Sequence, residues 1–178
     1  MAKISDSEYD KFSKQLAQNF ERKIKGFYIP TSLMDIPLGV RVVPLPTAED
    51  VMNMDSAKIK NNEIYFFTKS YKQSVYNLLR HFRNCGSHKD AITKEERNGE
   101  WFYVFEDRGY NGSPYVSMKG NIAFDKWDSF IDELYKIVLK ERQIIKQKKI
   151  KRNEKIKIIY SYAYWGNEHE YLCRQYHY

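Results

Sequence analysis

Three stretches of this chain repeat apolar residues at steps of three or four, and they constrain its fold most strongly. This spacing places the apolar side chains on one face of an α-helix. The first stretch follows Ser5 and Glu8, whose spacing is that of a helix-capping box. The sequence therefore predicts a mainly α-helical protein. The three stripes run from Tyr9 to Ile24, from Tyr71 to Phe82 and from Phe124 to Val138.

The segments between these stripes predict turns, an irregular excursion and a short β-structure. Residues 27–50 contain four prolines and are expected to be mostly irregular, with a short helix starting after Thr47. Residues 64–67 fit either a strand or a helix, because so short an apolar run does not distinguish them. Residues 101–105 and 114–118 are rich in strand-forming side chains and are separated by glycine, asparagine and proline, which predicts a β-hairpin.

Length and composition favour a single domain spanning residues 1–178. No apolar run approaches the roughly 20 residues of a membrane-spanning helix, and no signal-peptide core follows Met1, so we expect a cytoplasmic protein. Cys85 and Cys173 are expected to be reduced thiols. No spacing of cysteine and histidine suggests a metal site, and the sequence predicts no cofactor.

A basic segment at residues 146–157 carries nearly all of the net charge of +7. It is expected to form the distal end of the last helix. Such a segment is typical of a surface that binds a polyanion, although lysines also favour helix C-termini without binding anything. The residues that we expect to contact RNA are Arg80, Lys148, Lys149, Lys151 and Arg152.

The tail that follows alternates apolar and polar residues between Ile156 and Tyr164, which is typical of a strand. Its aromatic side chains offer surfaces on which nucleic-acid bases stack. The alternative is that the tail is a strand packed on the body of the protein.

The segment from Arg83 to His88 contains the chemical groups of a metal-independent ribonuclease. Arg83 can hold a phosphate, His88 can transfer a proton near neutral pH, and Asn84 can orient either group. Five positions separate Arg83 from His88, which sets them roughly 140° apart on a straight helix. The site therefore requires that the helix unwind at Gly86 or that two subunits combine their residues. His81 is expected to lie on the surface.

The stretch Leu78–His88 resembles the motif of HEPN domains (higher eukaryotes and prokaryotes nucleotide-binding domains), in which an arginine precedes a histidine by several residues. The hairpin and the amphipathic helix that follow are similar to one bacterial branch of these domains, and the resemblance covers about residues 68–140. It implies an HEPN-like helical bundle with an inserted β-hairpin and an irregular proline-rich excursion. It also implies a homodimer in which two motifs meet.

The resemblance further implies an endoribonuclease in which Arg83 stabilises charge on the phosphate, His88 acts as acid or base, and Asn84 is the polar neighbour. The ribose 2′-OH would attack the adjacent phosphorus without a metal ion. Such a protein would act as a toxin or a phage-defence effector, with a possible antitoxin protein as its partner. The alternative is a non-catalytic HEPN-like module that binds RNA or a protein, in which residues 146–157 dominate.

Overall fold

The structure, a computed structural model, describes residues 1–26, 32–33, 39–108 and 115–175, with side chains up to residue 158. Parts of the proline-rich excursion and of the predicted hairpin turn lie outside these described residues. The chain divides into two compact units, Met1–Leu139 and Lys140–Tyr178.

The first unit contains a six-stranded mixed sheet. Its strands lie in the order β1-β4-β5-β6-β3-β2, and every neighbouring pair is antiparallel except β2 and β3. The fold is therefore α/β, and the prediction of a mainly α, HEPN-like helical bundle is wrong. The strands are β1 (Ala2–Lys3), β2 (Arg41–Leu45), β3 (Glu63–Phe67), β4 (Ile92–Arg97), β5 (Glu100–Asp107) and β6 (Met118–Ala123).

The described residues include five α-helices. A π-helical segment, Ser13–Gln18, joins the first helix directly to the second. The fifth helix begins in the first unit and continues into the second. The helices are α1 (Asp6–Phe12), α2 (Asn19–Lys23), α3 (Ala48–Met52), α4 (Ser74–Ser87) and α5 (Phe124–Gln175).

The strands that sequence analysis missed carry weak local signals. β2 lies in the excursion that was expected to be irregular, and Pro44 is tolerated there because β2 is at the edge of the sheet. β4 consists mostly of charged and polar residues. β6 begins where the predicted second hairpin strand ends. It contains Gly120, at which a Cβ atom would overlap the carbonyl oxygen of Glu63.

The predicted N-terminal caps of two helices, Ser5 and Thr47, are confirmed. The Ser5 hydroxyl accepts a hydrogen bond from the backbone of Glu8 at 3.2 Å, and the Glu8 carboxylate accepts one from the backbone of Ser5 at 2.7 Å. Thr47 caps α3 by accepting a hydrogen bond from the backbone of Asp50 at 3.0 Å. Both caps satisfy backbone groups that have no partner inside the helix.

The core lies between the sheet and the helices on one of its faces. Phe12 of α1, Phe82 of α4, Phe105 of β5 and Trp127 of α5 are all fully buried. Their rings meet edge to face or stacked, with centroids 5.0 to 6.1 Å apart. The apolar stripes predicted from the sequence thus pack on a sheet rather than on each other alone.

The helix α5 starts at Phe124 as predicted, but it continues to Gln175. The strand predicted between Ile156 and Tyr164 is therefore wrong, since that part of the chain is helical. The basic segment lies within this helix. Within the described residues, no helix combines the length and the apolar composition needed to cross a membrane.

The helix α4 does not unwind at Gly86, which was one of the two arrangements expected to bring Arg83 and His88 together, because it continues through Gly86 to Ser87. Instead, Gly86 lets α4 approach the π-helical segment closely. A Cβ atom at Gly86 would lie 2.7 Å from the Cβ of Leu16 and 3.1 Å from the carbonyl oxygen of Phe12. The glycine is needed here for packing rather than for a turn.

We expect the substitution Gly86→Ala to lower the free energy of unfolding by about 1–3 kcal/mol, because the added methyl group overpacks the contact with Leu16. Urea denaturation measures this change. Ser87→Ala, at the next and exposed position of the same helix, is the control and should change stability by less than about 0.5 kcal/mol. A Gly86→Ala variant as stable as the wild type would contradict the close approach.

Candidate functional site

Arg83 forms an ion pair with Glu21, an acidic side chain of α2. The Arg83 side chain is half-buried, and its Nε and Nη2 donate to Oε1 of Glu21 in α2 at 3.1 and 2.7 Å. Hydrogen bonds from Lys25 and from Arg83 lower the pKa of the Glu21 carboxyl. The guanidinium that was expected to hold a phosphate thus links α4 to α2 within this subunit.

His88 lies immediately after α4, where the backbone is extended, and its side chain is exposed. Because α4 does not unwind at Gly86, the arrangement in which the helix turns His88 toward Arg83 is wrong. Among the described residues, no hydrogen bond joins the Arg83 and His88 side chains. The arrangement that combines residues of two subunits stays a prediction.

Asn84 has partners at both ends of its amide. Its Oδ1 accepts a hydrogen bond from Nη1 of Arg83 at 3.1 Å, and its Nδ2 donates to Oδ2 of Asp107 at 3.1 Å. Asn84 therefore connects the Arg83 guanidinium to a cluster of polar groups at the end of the sheet. In this structure, it orients protein groups.

This cluster centres on His81, which is 2% exposed, so the expectation of a surface histidine is wrong. Its Nδ1 lies 2.6 Å from Oδ2 of Asp107, and its Nε2 lies 2.8 Å from the carbonyl oxygen of Phe67. Phe67 ends β3, Asp107 ends β5, and Ser117 directly precedes β6. The His81 ring therefore fastens α4 to one end of three adjacent strands.

The donors and acceptors around the cluster indicate where its protons lie. The carbonyl of Phe67 only accepts hydrogen bonds, so Nε2 of His81 carries a proton. Oδ2 of Asp107 also accepts from the Asn84 amide, and the single proton of the Ser117 hydroxyl lies within reach of this oxygen at 3.0 Å and of the Asp107 carbonyl oxygen at 3.1 Å. Donors that converge on Oδ2 favour the ionised carboxylate, so Nδ1 carries a proton as well. His81 and Asp107 thus form a buried ion pair.

These residues do not form a nucleophilic triad, although serine, histidine and aspartate are close together. In a triad, the aspartate binds one ring nitrogen and the serine the other. Here, both Asp107 and Ser117 lie at Nδ1, with the Ser117 oxygen 3.4 Å from it, while Nε2 is bonded to a backbone carbonyl. The cluster holds the fold together and leaves no base to activate the serine.

The Cys85 thiol and the possible metal ligands were also considered as reactive groups. Burial, together with the charge of Asp107, raises the pKa of the Cys85 thiol well above its usual value. The thiol therefore stays protonated and unreactive. No group of three or more histidine, cysteine, aspartate or glutamate side chains within the described residues is arranged to hold a metal ion.

A cavity of about 260 Å³ opens on the sheet face opposite the aromatic core, and it is lined by Arg97 and Lys119 among others. Both cations already have partners. Arg97 donates to the Glu95 carboxylate at 2.9 Å, and Lys119 donates to the carbonyl oxygens of Met52 and Met54 at 2.8 and 3.1 Å. The Arg97 and Lys119 side chains are therefore held by oxygens of the protein itself.

The basic segment differs from these sites. All twelve residues of 146–157 are exposed on α5, and they include seven cations and one acid, Glu154. None of the seven cations forms an ion pair with a described residue. The residues Lys148, Lys149, Lys151 and Arg152 that were predicted to contact RNA belong to this set, and Arg80 is exposed on α4. The aromatic side chains beyond residue 158 lie outside the described part.

Sequence reasoning missed the buried ion pair, although one signal for it was present. His81 follows Leu78 by three positions and precedes Cys85 by four, so it lies on the buried stripe of α4. A histidine at such a position has to find a polar partner inside the protein. Its partner Asp107 is 26 residues away in sequence, and no local pattern identifies it.

We expect Asp107→Asn to lower the free energy of unfolding by about 3–5 kcal/mol at pH 7, because it leaves a buried imidazolium without its counter-charge. A neutral ring does not avoid the loss. An amide nitrogen at the Oδ2 position could donate to Nδ1, but it would then face the Asn84 amide, which donates to that position. Urea denaturation measures the change.

Glu106→Gln is the matched control for this substitution. Glu106 is the preceding residue of β5, its side chain is 39% exposed, and it pairs with Arg108 on the surface. Its loss should cost no more than about 1 kcal/mol. Equal effects of the two substitutions would contradict the buried ion pair.

Comparison of this chain with profiles of known protein families, with curated proteins and with solved structures finds no match.

Proposed function

We propose that this protein binds RNA through the basic segment, residues 146–157. The observation that carries this proposal is that seven exposed cations lie on three turns of one helix without an acidic partner among the described residues. Such a surface attracts a polyanion, and RNA is the polyanion that we assign to it.

The pairing of cations elsewhere in the protein supports this assignment. Arg41, Arg83 and Lys94 form ion pairs with Glu63, Glu21 and Glu8 at 2.7 to 3.0 Å. These cations are used to join elements of the fold. The cations of the basic segment have no such use, so their positive charge remains available to a ligand.

The binding energy would come from the release of counterions that RNA phosphates hold in solution. Each phosphate neutralised by a lysine or an arginine adds about 0.7 to the slope of log affinity against log salt for a single strand, and about 0.9 for a duplex. The affinity for RNA should therefore fall steeply as salt is added.

We expect the triple substitution Lys148→Glu, Lys149→Glu and Lys151→Glu to lower RNA affinity by about 100-fold in 0.1 M salt and to reduce the salt slope by at least about 2. Fluorescence anisotropy with a labelled RNA, measured at several salt concentrations, gives both quantities.

The matched control reverses three exposed lysines outside the segment, Lys58, Lys69 and Lys72, which lie in the first unit. It changes the net charge by the same amount, so it separates a local site from a general effect of charge. The proposal fails if both triples weaken binding equally, or if the first triple leaves the salt slope unchanged.

A second candidate function is the metal-independent endoribonuclease predicted from Arg83, Asn84 and His88. One observation favours it, namely that the His88 imidazole is exposed and has no hydrogen-bond partner among the described residues. Catalysis would need Arg83 to exchange Glu21 for a substrate phosphate, and a second subunit to complete the site. As a toxin or defence effector, such an enzyme would have an antitoxin as a partner.

We expect His88→Ala to abolish RNA cleavage in EDTA if this candidate is right, since the imidazole transfers the proton of the ribose 2′-OH. A cleavage assay with 2′,3′-cyclic phosphate products as the readout tests it. The control is Ser87→Ala, at the adjacent exposed position. Cleavage that persists undiminished in His88→Ala would remove His88 from any catalytic role.

A further inference from the structure

The cations of the basic segment surround the helix rather than lining one side of it. At about 100° per residue, Lys148, Lys151, Arg152 and Lys155 fall within one sector, which we name face A. Lys146, Lys149 and Lys157 fall in the opposite sector, which we name face B. Both faces are exposed.

The isoleucines in the segment and directly after it do not form a stripe between these faces. Ile150, Ile156 and Ile158 are 48%, 41% and 54% exposed, and their positions in sequence scatter them around the helix. A helix that lies on a lipid membrane needs a continuous apolar face. The segment has none, so its charge suits a ligand that presents anions on two sides.

On the basis of the proposed function, we propose that the basic segment binds between the two phosphate backbones of an RNA duplex. A single strand passes along one side of a helix and reaches face A or face B. An A-form RNA duplex has a narrow major groove and a wide, shallow minor groove. Phosphates of both strands border the minor groove, so both faces bind there at once. An α-helix with its side chains is about 10–12 Å across, and the segment is about 18 Å long.

The predominance of lysine over arginine in the segment indicates whether binding depends on the base sequence of the duplex. Six of the seven cations are lysines, and Arg152 is the seventh. A lysine ammonium is a point charge that contacts phosphates without reading the bases in the paired geometry of an arginine. Binding should therefore depend on the presence of two strands and little on their sequence.

Two matched triple variants test this inference. One neutralises face A through Lys148→Gln, Lys151→Gln and Lys155→Gln, and the other neutralises face B through Lys146→Gln, Lys149→Gln and Lys157→Gln. Each removes three positive charges from exposed positions of the same helix. Far-UV circular dichroism of the full-length variants checks that the helix is retained.

The measurement is the salt dependence of binding to a 20-base-pair RNA duplex and to one of its strands alone. The duplex should bind more tightly, with a slope near −6 against about −3 for the single strand. Each triple variant should reduce the duplex slope by about 3 and the duplex affinity by at least 100-fold.

The inference is overturned if face B can be neutralised without effect on the duplex slope, or if the single strand binds as tightly as the duplex with the same slope. In both cases RNA binding itself remains, so the proposed function survives. Tighter binding of a DNA duplex of the same sequence would overturn the assignment to RNA. RNA binding that neither triple variant weakens would contradict the proposed function instead.

Discussion

The buried ion pair between His81 and Asp107 is the interaction on which the arrangement of the first unit depends. It joins α4 to the ends of β3 and β5, and through Ser117 to the start of β6. Both ring nitrogens are used, so α4 has one position over the sheet. Asn84 is drawn into the same cluster, and this fixes the neighbouring Arg83 on the side of α4 that meets Glu21.

The elements with local signals could be predicted from the sequence, and those that depend on distant partners could not. The capping box at Ser5 and the apolar stripes of α1, α4 and α5 lie within short stretches and were recognised. β4 has a polar sequence, and it becomes a strand because β5 pairs with it. Gly86 reads locally as a helix breaker, but its role is set by Leu16, 70 residues earlier in the chain.

The candidate site shows the same division. The sequence identified the candidate residues, but it could not show which of their side chains form hydrogen bonds or ion pairs with other residues of the protein. Arg83 and Asn84 are used within the fold, whereas the lysines of residues 146–157 remain exposed and without acidic partners among the described residues. The excess of positive charge in this segment is visible in the sequence, and its side chains are exposed in the structure. The basic segment is therefore the better supported contact surface.

The most direct test of this account is a nuclear magnetic resonance titration of the ¹⁵N-labelled protein with RNA. Amide signals of residues 146–157 should shift as RNA is added, while those of Arg83, Asn84 and His88 stay in place. The opposite result, shifts at Arg83 and His88 with no change in the basic segment, would contradict the account.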